Sequence, residues 1–333
     1  MAKIAKFALL ALGLYILYVT VRSVGIGTIS SQIVELKWKL APLLFIYPFI
    51  FAFDTLGWSY AFPKGPPNAI PFRDLYAIRI IGETLNAVIP WAASLGGEPI
   101  KAELLKRKHG IPLSEGLASL LIVHTTFWVS LNLFVIGGLL VTLNTIKLTP
   151  VLWQSVIIFL IVLGLAALLL VIGLHLGIFK QIYSLGENYK WWGQESLEKK
   201  NRFLHLDAQI KIFYTSDRKR FFFSTFYNFL GWLTGTLEVY WIAKILGMNV
   251  SLAEAWLLEA LIQVLRIATF FIPSSIGAQE GGIVLILMQF GYDKSIGATF
   301  AIIRRLREIL WLGIGLVLWS LIEDRPKLKG TAI

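Results

Sequence analysis

Cysteine is absent from all 333 residues. That excludes disulfides, thiolate metal sites and thiol nucleophiles. Histidine is scarce: the four, His109, His124, His175 and His205, are scattered, and none stands at a metal-ligand spacing from another. No metal and no cofactor is therefore expected. The motifs GxSxG, HExxH and Walker A are missing too, which removes the common hydrolase and metalloprotease signatures and ATP drive of the usual kind. A transferase that works with scattered acids and arginines leaves no such motif and stays open.

Charge is also sparse. Only 15% of residues are charged while 56% are hydrophobic, and the mean hydropathy is +0.70. Several runs approach or exceed the ~20 apolar residues that cross a bilayer. This is the composition of a membrane protein, and no soluble domain is visible. The net charge of +11 comes from basic residues in loops beside apolar spans. Such placement fits anionic lipid and topology signals, and it gives no reason to expect nucleic acid as a partner.

The chain reads as one integral membrane domain, residues 1–333. Phe7 to Val21, preceded by Lys3 and Lys6, lacks a small-x-small cleavage site and reads as an uncleaved first span with its N-terminus inside. Leu40 to Phe62 is the second span, closed by a turn containing Pro63, Pro66, Pro67 and Pro71. Later spans are expected at Ser114 to Leu143, Leu152 to Leu176, Phe221 to Leu246 and Ile296 to Ile322. Lys180 to Arg220 is polar and basic, dotted with Trp191, Trp192, Phe203 and Phe213. It reads as a cytoplasmic connector, either a solvated linker or a helix at the interface. Arg325, Lys327 and Lys329 place the C-terminus inside as well.

Two stretches break this plain pattern. In the first, Arg79, Glu83 and Asn86 fall at i, i+4, i+7 and share a helical face. Pro90 ends that helix, Gly96 and Gly97 loosen the backbone, and a new helix starts at Glu98-Pro99 and runs through Lys101. In the second, Glu259, Gln263 and Arg266 share a face in the same way. Pro273 breaks the helix, Gly277 follows, and a helix restarts at Gln279-Glu280. The next span carries Arg304, Arg305, Arg307 and Glu308. Gly110-x3-Ser114-x-Gly116 matches Gly291-x3-Ser295-x-Gly297, which sets His124 opposite Arg305 and Glu98 one residue from Glu280. The expected fold is thus an all-α polytopic membrane protein with about six full spans and two re-entrant helical hairpins in inverted repeat. The repeated halves are about 72–143 and 252–322, and the connector is about 180–220.

A helix that restarts inside a membrane presents unpaired N–H groups and a positive dipole end, which attract anions. Intramembrane charges cost at least ~2.5–3.5 kcal/mol each, so they need partners or a use. The reading is a polar cavity for a lipid head group. The arginines would hold a phosphate, and Glu98 and Glu280 would set occupancy through protonation. The bland readings stand beside it. A Glu at a helix start is stabilised by the dipole alone, Arg304 and Arg307 could be buried structural ion pairs, and His124 could be a satisfied interior histidine.

At these motifs the chain resembles the lysylphosphatidylglycerol synthase transmembrane family, also called flippase-like membrane proteins. The resemblance is carried by Asn86-x3-Pro90-x5-Gly96-Gly97-Glu98-x2-Lys101, by Pro273-x-Ser275-x-Gly277-x2-Glu280 and by the Arg304/Arg305/Arg307 helix. Lys101 stands where the family often has Arg. The Gln279-Glu280-Gly281-Gly282 form is similar to the hopanoid-biosynthesis-associated branch. What the resemblance implies is a polytopic protein of the bacterial cytoplasmic (inner) membrane that moves or handles a lipid; the hopanoid branch implies an isoprenoid one, whereas the arginines fit an anionic one. The alternatives are a membrane transferase acting on a lipid-linked donor, and an accessory protein that binds lipid and recruits a lipid-synthesis enzyme as partner through Lys180 to Arg220. Only the membrane part of the full synthases is matched, so lysyl transfer gains no support.

Overall fold

The computed structural model describes residues 15, 18, 22, 26–62, 70–88, 96–142, 149–188, 196–270 and 272–323. The expected first span, the turn prolines Pro63, Pro66 and Pro67, the helix break at Pro90, Trp191, Trp192 and the C-terminal basic residues lie outside them. Among the described residues the chain is all helix. The helices are α1 (Ile26–Leu36), α2 (Ala41–Tyr60), α3 (Phe72–Val88), α4 (Gly97–His109), α5 (Leu113–Thr142), α6 (Pro150–His175), α7 (Ile178–Asn188), α8 (Ser196–Ser216), α9 (Arg218–Ile245), α10 (Leu252–Ala268), α11 (Ala278–Gln289) and α12 (Lys294–Glu323).

Among the described residues, three stretches are both long and apolar enough to cross a membrane: Ile33–Tyr60, Leu113–Thr142 and Trp153–Gly173. On α6 the aliphatic side chains of Ile158, Ile161, Val162, Leu165, Leu168 and Leu169 are exposed. A contiguous apolar face of this kind is a lipid-facing surface. The helices α9 and α12 match α5 in length but carry embedded arginines and glutamates. By contrast, α4 and α11 have 13 and 12 residues, a rise of roughly 18–20 Å against a hydrocarbon core of about 30 Å.

Helix lengths repeat along the chain. α3, α4 and α5 have 17, 13 and 30 residues; α10, α11 and α12 have 17, 12 and 30. Gly110 at φ 68° ends α4 and Gly291 at φ 85° follows α11, the left-handed stop that favours glycine. α2 and α9 pack antiparallel. Tyr60 stacks on Tyr227, the Ser224 hydroxyl donates to the Gly57 carbonyl, and at the other end the Trp241 indole donates to the Lys39 carbonyl.

Two hydrophobic cores flank the middle of the molecule. One joins α5, α9, α10, α11 and α12 around Leu131, Phe134, Leu258 and Phe300. The other joins α2, α3, α4, α5 and α8 around Trp58, Ile81, Leu105 and Phe213. The α8 part of the basic connector is therefore not a solvated linker. Leu206, Ile210 and Phe213 fall at i, i+4, i+7, and all three are buried in the second core. That periodicity is legible in the sequence and outweighs the segment's charge. Asp207 ties α8 to α7 by accepting from the Phe179 and Lys180 amides at 3.2 and 2.7 Å.

α3 and α4 meet at a pair of glycines. A Cβ at Gly97 would sit 2.0 Å from the Gly82 carbonyl oxygen, and the buried Lys101 stem runs directly over Gly82. Backbone cannot swing aside as a side chain can. Gly97→Ala is expected to destabilise the fold by about 1–3 kcal/mol through overpacking. Gly313→Ala, which meets nothing within 4 Å, is expected to be neutral. Thermal unfolding in detergent checks the pair.

Candidate functional site

Between the two cores lies a cavity of about 350 Å³, walled by α2, α3, α9, α10, the Pro273–Ser275 turn and α12. Its wall carries Asp54, Glu83, Glu238, Glu259 and Glu308 against Arg79, Arg266, Arg304, Arg305 and Arg307. Aromatic and apolar groups complete it, among them Tyr47, Phe51, Trp232, Phe270 and Trp311. Asn86 lines it as well.

The charges fall into two networks. On the α3 side, Arg79 reaches Asp54 at 3.3 Å and Glu83 at 3.2 Å. Lys101, fully buried, spans Glu83 at 3.0 Å and Glu98 at 2.7 Å. Asn86 binds the helix restart twice: its amide donates to Glu98 at 3.1 Å, and its carbonyl oxygen accepts from the Gly97 N–H at 2.7 Å. It thereby caps the N-terminus of α4. His124 donates through Nδ1 to the Leu120 carbonyl, 2.9 Å away, and holds Nε2 4.0 Å from Glu98. It is a second-row neighbour of the network and does not line the cavity.

On the α12 side, Arg304 grips Glu259 in a forked pair at 2.5 and 3.3 Å. Gln263 donates to the same carboxylate at 2.6 Å. Arg307 pairs with Glu238 at 2.9 Å and lies 4.0 Å above the Tyr47 ring centroid, a cation–π contact. Arg305 pairs with Glu280 and with Glu308, the latter at 2.8 Å, and also donates to the Ser274 carbonyl at 3.3 and 3.4 Å. Glu280 uses its other oxygen to accept from the Gly277 N–H at 2.6 Å. One carboxylate thus caps the restarting α11 and fixes Arg305. Gln279 reaches Glu308 at 3.4 Å. Gly277 adopts φ 79°, and Ser274 and Ser275 adopt φ 51° and 48°, so the break is tightly wound around Pro273.

The structure thus brings together all thirteen residues that the sequence singles out. Arg79, Glu83, Asn86, Arg266, Arg304, Arg305, Arg307 and Glu308 line the cavity. Glu98, Lys101, His124, Gln279 and Glu280 stand behind the wall and hold it. Gly96 and Gly97 open α4 as expected of a break. Sequence reasoning missed Asp54, Tyr47 and Trp311, and it left Glu238, Glu259 and Gln263 without a place in the site. For Asp54 and Glu238 a signal exists, since a lone acid inside an apolar span demands a partner.

The model of the lysylphosphatidylglycerol synthase transmembrane region matches residues 4–315. The chain belongs to that family. A relative, a UPF0104 membrane protein of Methanothermobacter thermautotrophicus (strain Delta H), is 23% identical over 315 residues, covering 90% of this chain and 89% of its own length. No solved structure matches. The membership and the apolar helices together make this an integral membrane protein.

Removing one member of a buried pair leaves a charge with no counter-ion. Arg304→Met is expected to cost about 3–5 kcal/mol by stranding Glu259, whereas Arg304→Met with Glu259→Met is expected to recover most of that loss. A double-mutant cycle on unfolding midpoints in detergent measures the coupling.

Proposed function

We propose that this family member carries a lipid between leaflets, taking the head group into the charged cavity while the tails stay in the bilayer. The observation that carries the reading is the cavity itself. It has room for a head group, being at the low end of the roughly 300–1,000 Å³ usual for ligand pockets. Its wall is drawn from both sets of repeated helices, and it lies inside a chain whose outer faces suit hydrocarbon.

The repeat supports movement as well as binding. We read α2 to α5 and α9 to α12 as inverted halves. In that reading α4 and α11 are the returning arms of two re-entrant hairpins, and the cavity lies at the interface between the halves. The antiparallel packing of α2 and α9 and the near-equal lengths of α3 to α5 and α10 to α12 support it. The turn at Ser274 touches the end of α3, where its hydroxyl donates to the Ala87 carbonyl at 2.8 Å. Rocking of one half against the other would open and close the cavity at such contacts. Non-helical backbone at this depth is stable only where protein or a wet cavity satisfies it, and Asn86, Glu280 and Arg305 do so here.

Reconstitution tests the proposal. Liposomes containing this protein alone are expected to expose inner-leaflet fluorescent phospholipid to dithionite faster than protein-free liposomes. Arg305→Ala is expected to abolish the difference, and its unfolding midpoint in detergent separates lost movement from the stability lost with the Glu280 and Glu308 pairs. No acceleration for wild type, or the appearance of a new lipid product in place of movement, would sink it.

A further inference from the structure

The two charge networks differ in their balance. On the α12 side Arg304, Arg305 and Arg307, with Arg266 acting through space on Glu308, stand against Glu238, Glu259, Glu280 and Glu308. Those charges cancel. On the α3 side, among the described residues, two cations, Arg79 and Lys101, stand against three carboxylates, Asp54, Glu83 and Glu98. One negative charge is unmatched there. A buried charge without a counter-ion is costly, and one proton removes it.

An imidazole stands where that proton is missing. The charged groups around the His124 ring are Glu98 and Lys101 from α4 and Arg79 and Glu83 from α3. With Nδ1–H given to the Leu120 carbonyl, the neutral ring turns a lone pair at Nε2 toward Glu98, 4.0 Å away. That is beyond hydrogen-bond reach. Glu98 is itself unevenly used: Oε1 receives both Asn86 and Lys101, while the buried Oε2 has no partner. In the second half both oxygens of Glu280 are engaged, one by Arg305 and the other by the Gly277 N–H. The Gly-x3-Ser-x-Gly register sets His124 opposite Arg305 and Glu98 one residue from Glu280. The first half thus carries a base that can gain or lose a proton where the second carries a guanidinium that cannot.

We propose that His124 and Glu98 form a proton-binding site behind the cavity wall, which takes up one proton and neutralises the α3-side network. The proton adds to the Nε2 lone pair, Nδ1–H stays on the Leu120 carbonyl, and the imidazolium closes on Glu98 as Arg305 closes on Glu280. Closing that gap draws α5 and α4 together. Lys101 bridges Glu98 to Glu83, and Glu83 lines the cavity, so the proton is felt at the wall. Resting on the lipid-movement reading above, this couples movement to pH across the range where imidazole changes charge, about pH 5–8. The competing role for His124 is that of a neutral interior histidine held by Leu120 alone, with the proton resident on a carboxylate such as Asp54.

NMR of the histidine side-chain nitrogens, on the labelled full chain in detergent across about pH 5–8, tests the site directly. The His124 signals are those missing from His124→Gln. In wild type Nδ1 is expected to stay protonated throughout, while Nε2 gains its proton within the range. Glu98→Gln, which balances the network without a proton, is expected to lose that step. Its Nδ1 signal, still bonded to Leu120, reports that the ring remains seated. An Nε2 of wild type that stays bare through the range, or a step that persists in Glu98→Gln, overturns the site and leaves His124 its interior role. Lipid movement in liposomes, followed by albumin extraction of a short-chain fluorescent phospholipid over about pH 6–8, tests the coupling. Wild type is expected to change its rate several-fold, and His124→Arg, which makes the charge permanent, is expected to give a flat profile. A flat wild type, or an unchanged profile in His124→Arg, overturns the coupling. The two arms separate the proposals. A titrating His124 in a chain that moves no lipid keeps the proton site and sinks the movement reading, and movement with a neutral His124 does the reverse.

Discussion

A guanidinium or carboxylate inside a bilayer must be matched, and this constraint shapes the molecule. The Arg304–Glu259 fork joins α12 to α10 and the Arg307–Glu238 pair joins α12 to α9. Lys101 joins α4 to α3 through Glu83. Each is worth little as a net gain, because desolvation offsets attraction. Their weight lies in direction: a buried charge tolerates very few arrangements, so the pairs fix which helix faces which. The apolar cores on either side, packed around Phe134 and Trp58, supply the bulk of the burial but are far less choosy about register.

The same constraint explains why the helix breaks are where they are. An interrupted helix in hydrocarbon leaves amides without partners. At the first break Asn86 accepts from Gly97, and at the second Glu280 accepts from Gly277. The two halves solve one problem with different residues. The position matching Arg79 is Glu259, and the position matching Asn86 is Arg266, since α3 and α10 align at Phe72 and Leu252. At the first of these positions the sign reverses, so helices of equal length face one cavity with opposite charge there.

Much of this was legible in the sequence. Hydropathy marks α5 and α6, and the i, i+4, i+7 trios mark the charged faces of α3 and α10. The Pro273 stretch marks the break between α10 and α11, and the paired Gly-x3-Ser-x-Gly motifs fall at the starts of α5 and α12. What could not be read is who pairs with whom. Glu98 and Glu280 look equivalent at the level of spacing. Yet Glu280 caps its own helix and holds Arg305, while Glu98 receives Lys101 and Asn86 and caps nothing. That difference depends on side chains brought in from other helices, which no local pattern encodes. Asp54 stands out as a lone acid inside an apolar span, but only the approach of Arg79 shows its partner.

The arginine-rich helix shows how such pairing changes the functional argument. Arg304, Arg305 and Arg307, taken as a list, suggest a ready-made phosphate clamp. Their observed partners, Glu259, Glu280, Glu308 and Glu238, have already taken up that charge. A ligand would have to displace a carboxylate from a geometry with fork contacts at 2.5 and 3.3 Å, and a displaced carboxylate in this setting has nowhere to go. In a membrane cavity a dense cluster of arginines is first of all a set of structural bonds.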